Sequence, residues 1–412
     1  MTKKQYPRWQ RSLLKEALKY RRVLLLSGPR QCGKTTLAKT LLSEDIIYRT
    51  LDDTTLLAAA QEDPHSFIQH HAQTLIIDEV QHVPQLYSAI KKQVDEDDRP
   101  GQFLLTGSSN IQSLPSVTES LAGRIRRIRL RPLTIGELLR KKPKFLDDAF
   151  NESFIASNIA VDREELLNMA LHGGFPEAIK LENRERKEWH RDYIDALLER
   201  DLKEITNIRH QNAVRNLLFI IAAWSSKLMD ISSIGSGLSI KRPTLESYIN
   251  ALEALFLVER VYPWTKTDYD RVGKRCKMFL ADCGLMASLL SWKLDDVFLN
   301  PDRISKLMET FVFNELAAHV DYAGGMYEIY HYRDRLKREI DFLIQKENGD
   351  LLGIEVKASS TAHGDDFKHL KWFKNNLVKK GRVFVGIVLY TGNHIISFGD
   401  SLWAIPIQQL YS

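Results

Sequence analysis

The sequence predicts an α/β protein that is built around a phosphate-binding parallel sheet. In the first third of the chain, short apolar segments alternate with segments of helical periodicity, a pattern typical of βαβ units. A glycine-rich segment, residues 27–36, directly follows the first apolar segment. A second set of alternating strands and helices begins near residue 277 and predicts a second α/β domain.

The predicted elements follow in order along the chain. Apolar segments predict strands at 23–26, 46–51, 74–77, 103–106 and 125–130, and helical periodicity predicts helices at 35–42 and 86–94. Residues 133–209 have a helical, charged pattern with one break at the Gly173-Gly174 pair. The last third predicts a helix at 304–320, strands at 328–332, 340–346, 352–357 and 383–389, and an amphipathic helix at 366–377.

Length and composition limit the class of protein. A chain of 412 residues is too long for one ordinary core, and we expect domains at 1–140, 141–209, 210–270 and 271–412. There is no apolar run of roughly 20 residues and no secretory pattern at the N-terminus, so we expect a cytoplasmic protein without a membrane partner. Three cysteines without a Cys-x-x-Cys pair argue against a disulfide framework and a zinc site. The net charge of +5 permits nucleic acid as a partner without indicating it.

The segment after the first predicted strand matches the phosphate-loop spacing G-x-x-x-x-G-K-[ST] in full. Backbone N–H groups of such a loop surround the phosphates of a nucleotide, Lys34 is placed to reach the β and γ oxygens, and Thr35 offers its hydroxyl to Mg²⁺. ATP and Mg²⁺ are therefore the predicted cofactors. The residues predicted to contact the nucleotide are Gly28, Pro29, Arg30, Gln31, Cys32, Gly33, Lys34, Thr35 and Thr36.

Two later strand ends supply the polar side chains that a phosphate loop needs. Asp78 would coordinate Mg²⁺ through water, and Glu79 would orient or deprotonate the attacking water. Ser108, and with less weight Asn110, could sense the γ-phosphate at the end of the strand 103–106. A simple Gly-Ser turn explains Ser108 equally well.

Taken in this order, the phosphate loop, the Asp78-Glu79 strand, residues 106–108 and residues 120–124 (SLAGR) resemble the AAA+ superfamily. The resemblance is to its prokaryotic branch of stand-alone ATPases with a C-terminal domain of uncharacterised role. Three further segments match that branch, namely residues 132–137 (PLTIGE), 173–177 (GGFPE) and 279–285 (FLADCGL). The resemblance spans nearly the whole chain and implies an AAA+ ATPase core, followed here by the helical segment 141–209 as a lid or linker.

Arg124 is the candidate arginine finger. A guanidinium that stabilises charge spreading over the γ-phosphate accelerates phosphoryl transfer, and Arg124 could act in cis or from a neighbouring subunit. The alternative is that Arg124, Arg126, Arg127 and Arg129 form one solvated, charged strand, which is at least as good an explanation for the last three.

Residues 214–263 predict a winged helix-turn-helix, with helical segments at 217–224, 231–235 and 244–254 and a strand at 257–262. Two glutamates, Glu246 and Glu253, would oppose phosphates on the second helix of the motif, and winged helices also pack between domains. DNA contact and a packing role therefore stay open. The residues that would face the groove or the phosphates are Ser239, Lys241, Arg242, Thr244 and Ser247.

A pattern of acids and a lysine marks the last third. Asp341 lies in one predicted strand, and Glu355 and Lys357 lie two residues apart on the next, where they share a face. Two carboxylates can hold a divalent cation that polarises a phosphodiester, while Lys357 orients the water or stabilises developing charge. This spacing resembles the PD-(D/E)XK, or restriction-endonuclease-like, fold, and Glu309 matches the helix acid that such folds often add. The alternative is a surface ion pair of little energetic weight.

The leading hypothesis is an AAA+ ATPase that drives or gates a nuclease-like C-terminal domain, with DNA as the candidate substrate. Glu79, Arg124, Asp341, Glu355 and Lys357 are the predicted catalytic residues. A second hypothesis is a nucleotide-dependent switch that binds DNA or protein without cutting, and a third is a scaffold in which ATP sets contacts between copies of the chain. The predicted metal ligands are Thr35 and Asp78 for the first site, and Asp341, Glu355 and Glu309 for the second.

Overall fold

The computed structural model of the chain describes residues 5–108, 121, 123–155, 161–205, 211–267 and 274–411. Two sheets organise these residues, a five-stranded sheet in the first third and an eight-stranded sheet in the last. Helices connect the two sheets and cover the second. The predicted mixed α/β class is confirmed.

The first sheet is parallel throughout, with strand order β2-β3-β4-β1-β5. Every residue of β1, β3 and β4 is buried, which explains why these strands are continuous apolar runs rather than alternating patterns. Leu24 and Leu26 pack on one face, and Val23 and Leu25 pack on the other. The strands are β1 (Val23–Ser27), β2 (Ile46–Thr50), β3 (Thr74–Asp78), β4 (Phe103–Gly107) and β5 (Ile125–Arg129), and the helices are α1 (Gln10–Ala17), α2 (Lys34–Lys39), α3 (Thr54–Glu62), α4 (Pro64–Phe67) and α5 (Gln85–Glu96).

The middle of the chain is helical, as predicted. One long helix, α9, runs directly into a π-helical turn at Leu197–Asp201, an arrangement that is often found at functional positions. The helices are α6 (Ile135–Leu138), α7 (Phe145–Phe150), α8 (Arg163–His172), α9 (Asn183–Ala196), α10 (Leu202–Ile205), α11 (Gln211–Ala223), α12 (Ile231–Leu238) and α13 (Arg242–Ala254).

The second sheet is mixed, with strand order β12-β13-β11-β10-β9-β8-β6-β7. Antiparallel pairs join β8 to β9 and β9 to β10, while β10 and β11 are parallel. The strands are β6 (Val258–Pro263), β7 (Lys277–Leu280), β8 (Tyr327–Arg333), β9 (Glu339–Lys346), β10 (Leu351–Lys357), β11 (Phe384–Tyr390), β12 (Ile396–Ser397) and β13 (Leu402–Pro406), and the helices are α14 (Cys283–Leu289), α15 (Leu294–Phe298), α16 (Pro301–Tyr322) and α17 (Lys368–Leu377).

The eight-stranded sheet crosses the expected boundary at residues 270 and 271. Strand β6 pairs with β7 and, in parallel, with β8, so the strand expected to close a winged helix-turn-helix belongs to the C-terminal sheet. The three helices α11, α12 and α13 are present where they were predicted. One hydrophobic cluster extends from Ile135 to Tyr411, which means that the expected units beyond residue 140 share a core.

A junction of three chain segments lies between the helical region and the C-terminal domain. The backbone N–H of Leu133 donates to Gly174 O (2.7 Å), and the N–H of Gly174 donates to Asp282 Oδ2 (2.7 Å). A Cβ at position 174 would lie 2.1 Å from Leu133 O, so only glycine fits. The segments 132–137, 173–177 and 279–285, which resemble one family in sequence, therefore meet in space.

No helix among the residues that the structure describes is long and apolar enough to cross a membrane.

Candidate functional site

The phosphate loop connects β1 to α2 at the carboxyl edge of the first sheet, where parallel sheets bind ligands. Gly28 has φ +156° and faces Leu130 O, which a Cβ would approach to 2.1 Å, so the loop can pass this strand only with glycine at this position. Lys34 is 4% exposed, and its Nζ donates to the carbonyl oxygens of Gly28 (3.0 Å) and Pro29 (2.9 Å). The structure thus places the lysine ammonium inside the loop.

Asp78 ends β3 and lies opposite the loop. Its carboxylate accepts hydrogen bonds from three neutral hydroxyls, namely Thr35 Oγ1 (2.8 Å to Oδ2), Tyr48 Oη (2.6 Å to Oδ2) and Thr106 Oγ1. The carboxylate has no ion-pair partner among the described residues. Thr35 and Asp78, the two predicted Mg²⁺ ligands of this site, are in direct contact.

Tyr48 was not predicted from the sequence. It lies on edge strand β2, and burial together with its hydrogen bond to Asp78 raises the pKa of its hydroxyl, so the hydroxyl stays a donor. A tyrosine in an apolar strand gives no local signal of this role, because the contact depends on the pairing of β2 with β3.

Glu79 has a backbone conformation that is unfavourable for residues other than glycine, with φ 57° and ψ 46°. Its N–H donates to Thr106 Oγ1 (3.1 Å). Gln81 Nε2 donates both to the Glu79 carboxylate and to Ser108 Oγ (3.2 Å), which links the end of β3 to the end of β4. The structure therefore brings the predicted Glu79 and Ser108 together through Gln81, a residue that the sequence reasoning missed. Asn110 lies outside the described residues.

Arg124 lies at the opposite edge of the same sheet. Val23 pairs with Ile125 and Ser27 with Arg129, so Arg124 precedes β5 at the edge where β1 begins. The four residue steps from 23 to 27 separate it from the start of the phosphate loop by about 13 Å. Its guanidinium pairs with Asp95 on α5, and this pairing lowers the pKa of Asp95. The structure does not bring Arg124 to the phosphate loop of its own chain.

The phosphate loop also contacts the helical region. The Arg30 guanidinium pairs with Asp201 in the π-helical turn, and Tyr193 Oη donates to the carbonyl oxygen of Arg30 (3.3 Å). Trp189 stacks on Tyr193, with ring centroids 5.2 Å apart. A variable position of the loop motif is thereby attached to an irregular helix about 170 residues later in the sequence.

In the C-terminal domain, a buried lysine lies among the predicted acids. Lys277 begins β7 and is 1% exposed. Its Nζ lies 2.8 Å from Glu339 Oε1, 3.1 Å from Asp341 Oδ1 and 3.9 Å from Glu309 Oε2. Neither Lys277 nor Glu339 was predicted. A lysine at the head of the apolar segment Lys277–Leu280 is the signal that could have found it, because a buried charge requires a partner.

The other oxygens of these carboxylates have partners as well. Asp341 Oδ2 accepts from the N–H of Val356 (3.0 Å), Glu339 Oε2 accepts from Arg333 (2.7 Å), and Glu309 Oε1 accepts from Ser305 (3.0 Å). This arrangement joins β7, α16, β9 and β10 through hydrogen bonds and ion pairs.

The predicted Glu-x-Lys pair lies beside this cluster. Lys357 Nζ is 3.9 Å from Glu355 Oε2 and 3.8 Å from Asp366 Oδ1, and it is partly exposed. Within the described residues, the buried Glu355 Oε1 has no hydrogen-bond partner. The sheet register therefore brings Asp341, Glu355 and Lys357 into one region, as the sequence predicted.

Electrostatics distinguish the acids of this cluster. Burial would raise the pKa of Asp341, but the Lys277 ammonium and the Val356 amide lower it below its usual value. Burial and the nearby Asp341 charge raise the pKa of Glu309 to about 7 and raise that of Glu355 well above its usual value. The three nearby carboxylates raise the pKa of Lys277 despite its burial.

The two predicted metal sites differ in how well a metal fits. In the first, Thr35 and Asp78 present oxygens that have only neutral hydroxyl partners, which suits Mg²⁺ bound partly through water. In the second, an ammonium ion already lies among the predicted ligands Asp341 and Glu309, so a divalent cation does not fit this arrangement. Among the described residues, no group of three or more His, Cys, Asp or Glu has the geometry to hold a metal ion.

The predicted DNA-facing residues are exposed at the junction of α12 and α13, comprising Ser239, Lys241, Arg242, Thr244 and Ser247. Of the two acids that would repel phosphates, Glu246 pairs with Arg242 (2.9 Å) and Glu253 pairs with Arg260. DNA contact by this surface stays a prediction.

A parallel sheet of this order, with a phosphate loop after β1 and Asp78 and Glu79 at the end of β3, defines a P-loop α/β domain. Residues 20–139 match the family model described as "AAA domain". Residues 163–296 match "Domain of unknown function (DUF8612)", and residues 305–410 match "Domain of unknown function (DUF4143)".

Two proteins of known sequence are similar to this chain over nearly its whole length. Uncharacterized proteins of Mycobacterium tuberculosis and Mycobacterium bovis are each 27% identical over 406 residues, which cover 96% of this chain and 82% of theirs. The similar solved structures include the RuvB Holliday junction branch migration motor of Thermotoga maritima, at 17% identity and a TM-score of 0.27, covering 61% of this chain and 88% of that one. They also include a signal transduction ATPase of Pyrococcus horikoshii with a tetratricopeptide repeat sensor, at 12% identity and a TM-score of 0.25, covering 77% of this chain and 48% of that one.

Proposed function

We propose that the protein binds and hydrolyses ATP at the phosphate loop. The contact between Thr35 and Asp78 carries this proposal, because it places a hydroxyl and a carboxylate at the carboxyl edge of the sheet, and among the described residues that carboxylate has no ion-pair partner. The match of residues 20–139 to an AAA domain supports it.

Each residue of the site would have a separate role in phosphoryl transfer. Lys34 would exchange its two carbonyl partners for β and γ oxygens of ATP, and the loop amides would orient the phosphates. Glu79 would accept a proton from the attacking water, while Gln81 and Ser108 hold its carboxylate in place. Thr35 and Asp78 would hold Mg²⁺, which supplies positive charge to the phosphate oxygens.

The test is phosphate release by purified Lys34→Ala protein. We expect loss of ATP turnover, because the ammonium that binds the β and γ oxygens is removed. Lys19→Ala is the matched control, since Lys19 is exposed and pairs only with Glu16 among the described residues. Undiminished turnover by Lys34→Ala contradicts the proposal.

We further infer that an arginine finger, if Arg124 supplies one, acts between subunits. The supporting observation is the position of Arg124 before β5, at the sheet edge away from its own loop. This arrangement implies a nucleotide-dependent homo-oligomer in which the pair with Asp95 is exchanged for a neighbour's γ-phosphate.

A mixing experiment separates this role from a structural one. Arg124→Ala has an intact phosphate loop and Glu79→Gln has an intact Arg124, so a mixture of the two inactive variants regains turnover only if the finger acts across an interface. Asp95→Asn controls for loss of the ion pair and should keep its turnover. Full activity of Arg124→Ala alone rules out the finger.

For the C-terminal half, we propose a nucleotide-dependent switch that binds DNA or protein without cutting nucleic acid. Two connections support coupling to the ATP site. Arg30 of the loop pairs with Asp201. Arg129, the last residue of β5, and Arg131, just beyond it, both pair with Glu259, and Arg131 also pairs with Asp321 (2.6 Å). The cation already present among the acids favours this function over the predicted nuclease.

Fluorescence anisotropy with duplex and single-stranded DNA, with and without ATP, tests the DNA form of the switch. We expect tighter binding in one nucleotide state and weaker binding by a Lys241→Ala, Arg242→Ala variant. An incubation with Mg²⁺ or Mn²⁺ in parallel tests cleavage. Metal-dependent cleavage that Asp341→Ala and Lys357→Ala abolish would restore the nuclease hypothesis.

A further inference from the structure

The acids of the C-terminal cluster surround a charge that belongs to the chain itself. Lys277 Nζ lies within 3.1 Å of oxygens from Glu339 and Asp341 and within 3.9 Å of Glu309. Glu339 and Asp341 are two residues apart on β9 and share a face, while Glu309 approaches from α16. The ammonium therefore lies between a strand and a helix, where acids from both elements converge.

Few oxygens of this cluster remain available to a metal ion. A bound Mg²⁺ or Ca²⁺ needs six or more oxygens, several of which come from protein or water. Asp341 and Glu339 each direct one oxygen to Lys277 and the other to a second donor, Val356 N–H or Arg333. Within the described residues, the buried Glu355 Oε1 lacks a hydrogen-bond partner, and Glu309 Oε2 and Glu355 Oε2 each lie 3.9 Å from a lysine ammonium.

The burial of Lys277 keeps its ammonium within the C-terminal cluster. Its side chain is 1% exposed, so it cannot swing into solvent to admit an ion without moving β7, whose backbone pairs with β6. A divalent cation in the same place would face a fixed positive charge about 3 Å from its ligands, which is strongly unfavourable at low dielectric.

We propose that Lys277 replaces the divalent cation of the nuclease-like fold, so that the C-terminal cluster is a metal-independent structural site. The lysine ammonium neutralises the acids that would otherwise hold the metal, and it fastens β7 to β9 and α16. This inference concerns the C-terminal cluster alone and does not depend on ATP binding at the phosphate loop.

The test measures Mn²⁺ binding to the full-length protein without nucleotide, by electron paramagnetic resonance. Asp78→Asn is used as a common background, because it removes the carboxylate ligand of the N-terminal site. We expect no specific Mn²⁺ binding by this background. Adding Lys277→Met should create one Mn²⁺ site that binds at least about tenfold more tightly than any non-specific binding by the background, and adding Asp341→Asn should abolish that site again.

The matched control is Lys306→Met in the same background, since Lys306 is half-buried on α16 and pairs with the exposed Asp302, away from the cluster. It should gain no Mn²⁺ site. Two results overturn the proposal: Mn²⁺ binding by the Asp78→Asn background that Asp341→Asn removes, or a folded Lys277→Met variant that gains no binding.

A second measurement covers the case in which Lys277→Met does not fold. The unfolding temperature of the Asp78→Asn protein is compared in Mn²⁺ and in a chelator. Equal temperatures are expected, because no metal contributes to stability. A higher temperature in Mn²⁺ that disappears with Asp341→Asn overturns the proposal without any change at position 277.

Discussion

Asp78 is buried at the end of β3 and Asp341 is half-buried near the start of β9, and the two carboxylates have opposite surroundings. Three neutral hydroxyls donate to Asp78, whereas an ammonium and a backbone amide donate to Asp341. A carboxylate with hydroxyl donors keeps its negative charge uncompensated and can still attract a cation. A carboxylate that is paired with a buried lysine already has its negative charge compensated, so it does not need a metal ion.

The difference teaches that acid spacing alone does not define a metal site. The Asp341, Glu355 and Lys357 pattern has the spacing of a nuclease, but the cation that decides its chemistry comes from β7, more than 60 residues earlier in the sequence. The donors around a carboxylate are therefore as informative as the carboxylate itself.

Glu315 on α16 supplies a third kind of environment. Its Oε1 accepts the N–H of Ile135 (2.9 Å), and within the described residues its buried Oε2 has no hydrogen-bond partner. Burial, with a smaller contribution from Glu137, raises the pKa of Glu315 to about 8. Glu315, which has neither a hydroxyl nor a cationic partner among the described residues, thus keeps its proton near neutral pH.

The largest expected effect is at the N-terminal site. Glu79→Gln should lower ATP turnover by about 10²- to 10⁴-fold, because it removes the proton acceptor, while nucleotide binding stays intact. Turnover and equilibrium nucleotide binding are measured on the same preparation. Glu96→Gln, an exposed change on α5, is the control. Turnover of Glu79→Gln equal to that of the control would contradict the role of the N-terminal site in this comparison.

The next effect is at the C-terminal cluster and concerns stability. Lys277→Met should lower the free energy of unfolding by about 3 to 5 kcal/mol, because it leaves buried acids without their counter-charge. Chemical denaturation in the presence of a chelator measures the loss, and Lys306→Met, at a half-buried lysine with an exposed partner, provides the comparison. A loss no greater than that of Lys306→Met would show that Lys277 does not hold the cluster together.

A pH series sharpens the comparison at Glu315. Because the folded pKa of about 8 lies above the usual value of 4.5, the stability contributed by this group is present below pH 4.5 and is lost as the pH rises through 8. The loss is at most about 1.4 kcal/mol per pH unit in that window. Glu315→Gln should remove this dependence while keeping the acceptor for Ile135, and identical pH profiles for both proteins would contradict the assignment.

The smallest effect is expected from Tyr48→Phe. Removing one neutral hydroxyl donor from Asp78 should lower the free energy of unfolding by about 1 kcal/mol. It should also raise the Mg²⁺ concentration needed for half-maximal turnover, but by a factor several-fold smaller than the factor for Asp78→Asn. Titration of Mg²⁺ in the turnover assay measures this. An effect of Tyr48→Phe as large as that of Asp78→Asn would mean that Tyr48 itself takes part in the chemistry.

The phosphate loop and the strands of both sheets were predictable because their signals are local. Glycine spacing, apolar runs and the Asp78-Glu79 pair lie within short windows of sequence, and the structure places strands at or within a few residues of each predicted one. Strands β7, β12 and β13 were missed, and β12 has two exposed residues and no alternating pattern.

The partners of the site residues were not predictable in the same way. Sheet pairing or the path of a helix brings four of these partners to their sites, and none of them belongs to a local sequence motif. They are Tyr48, Gln81, Asp201 and Lys277. The segments 132–137, 173–177 and 279–285 were recognised only as resemblances. Their meeting at Gly174 and Asp282 became visible once the backbone was in place.

That junction has a consequence for dissecting the protein. A cut at residue 140 would separate Leu133 from Gly174, whose carbonyl accepts its backbone N–H, and a cut at 271 would separate Gly174 from the Asp282 carboxylate that accepts its N–H. Either cut would open the hydrophobic cluster that extends from Ile135 to Tyr411. Fragments that follow the expected domain boundaries should therefore expose apolar surface and express as aggregates. Any piece chosen for isolated study should therefore keep Leu133, Gly174 and Asp282 together.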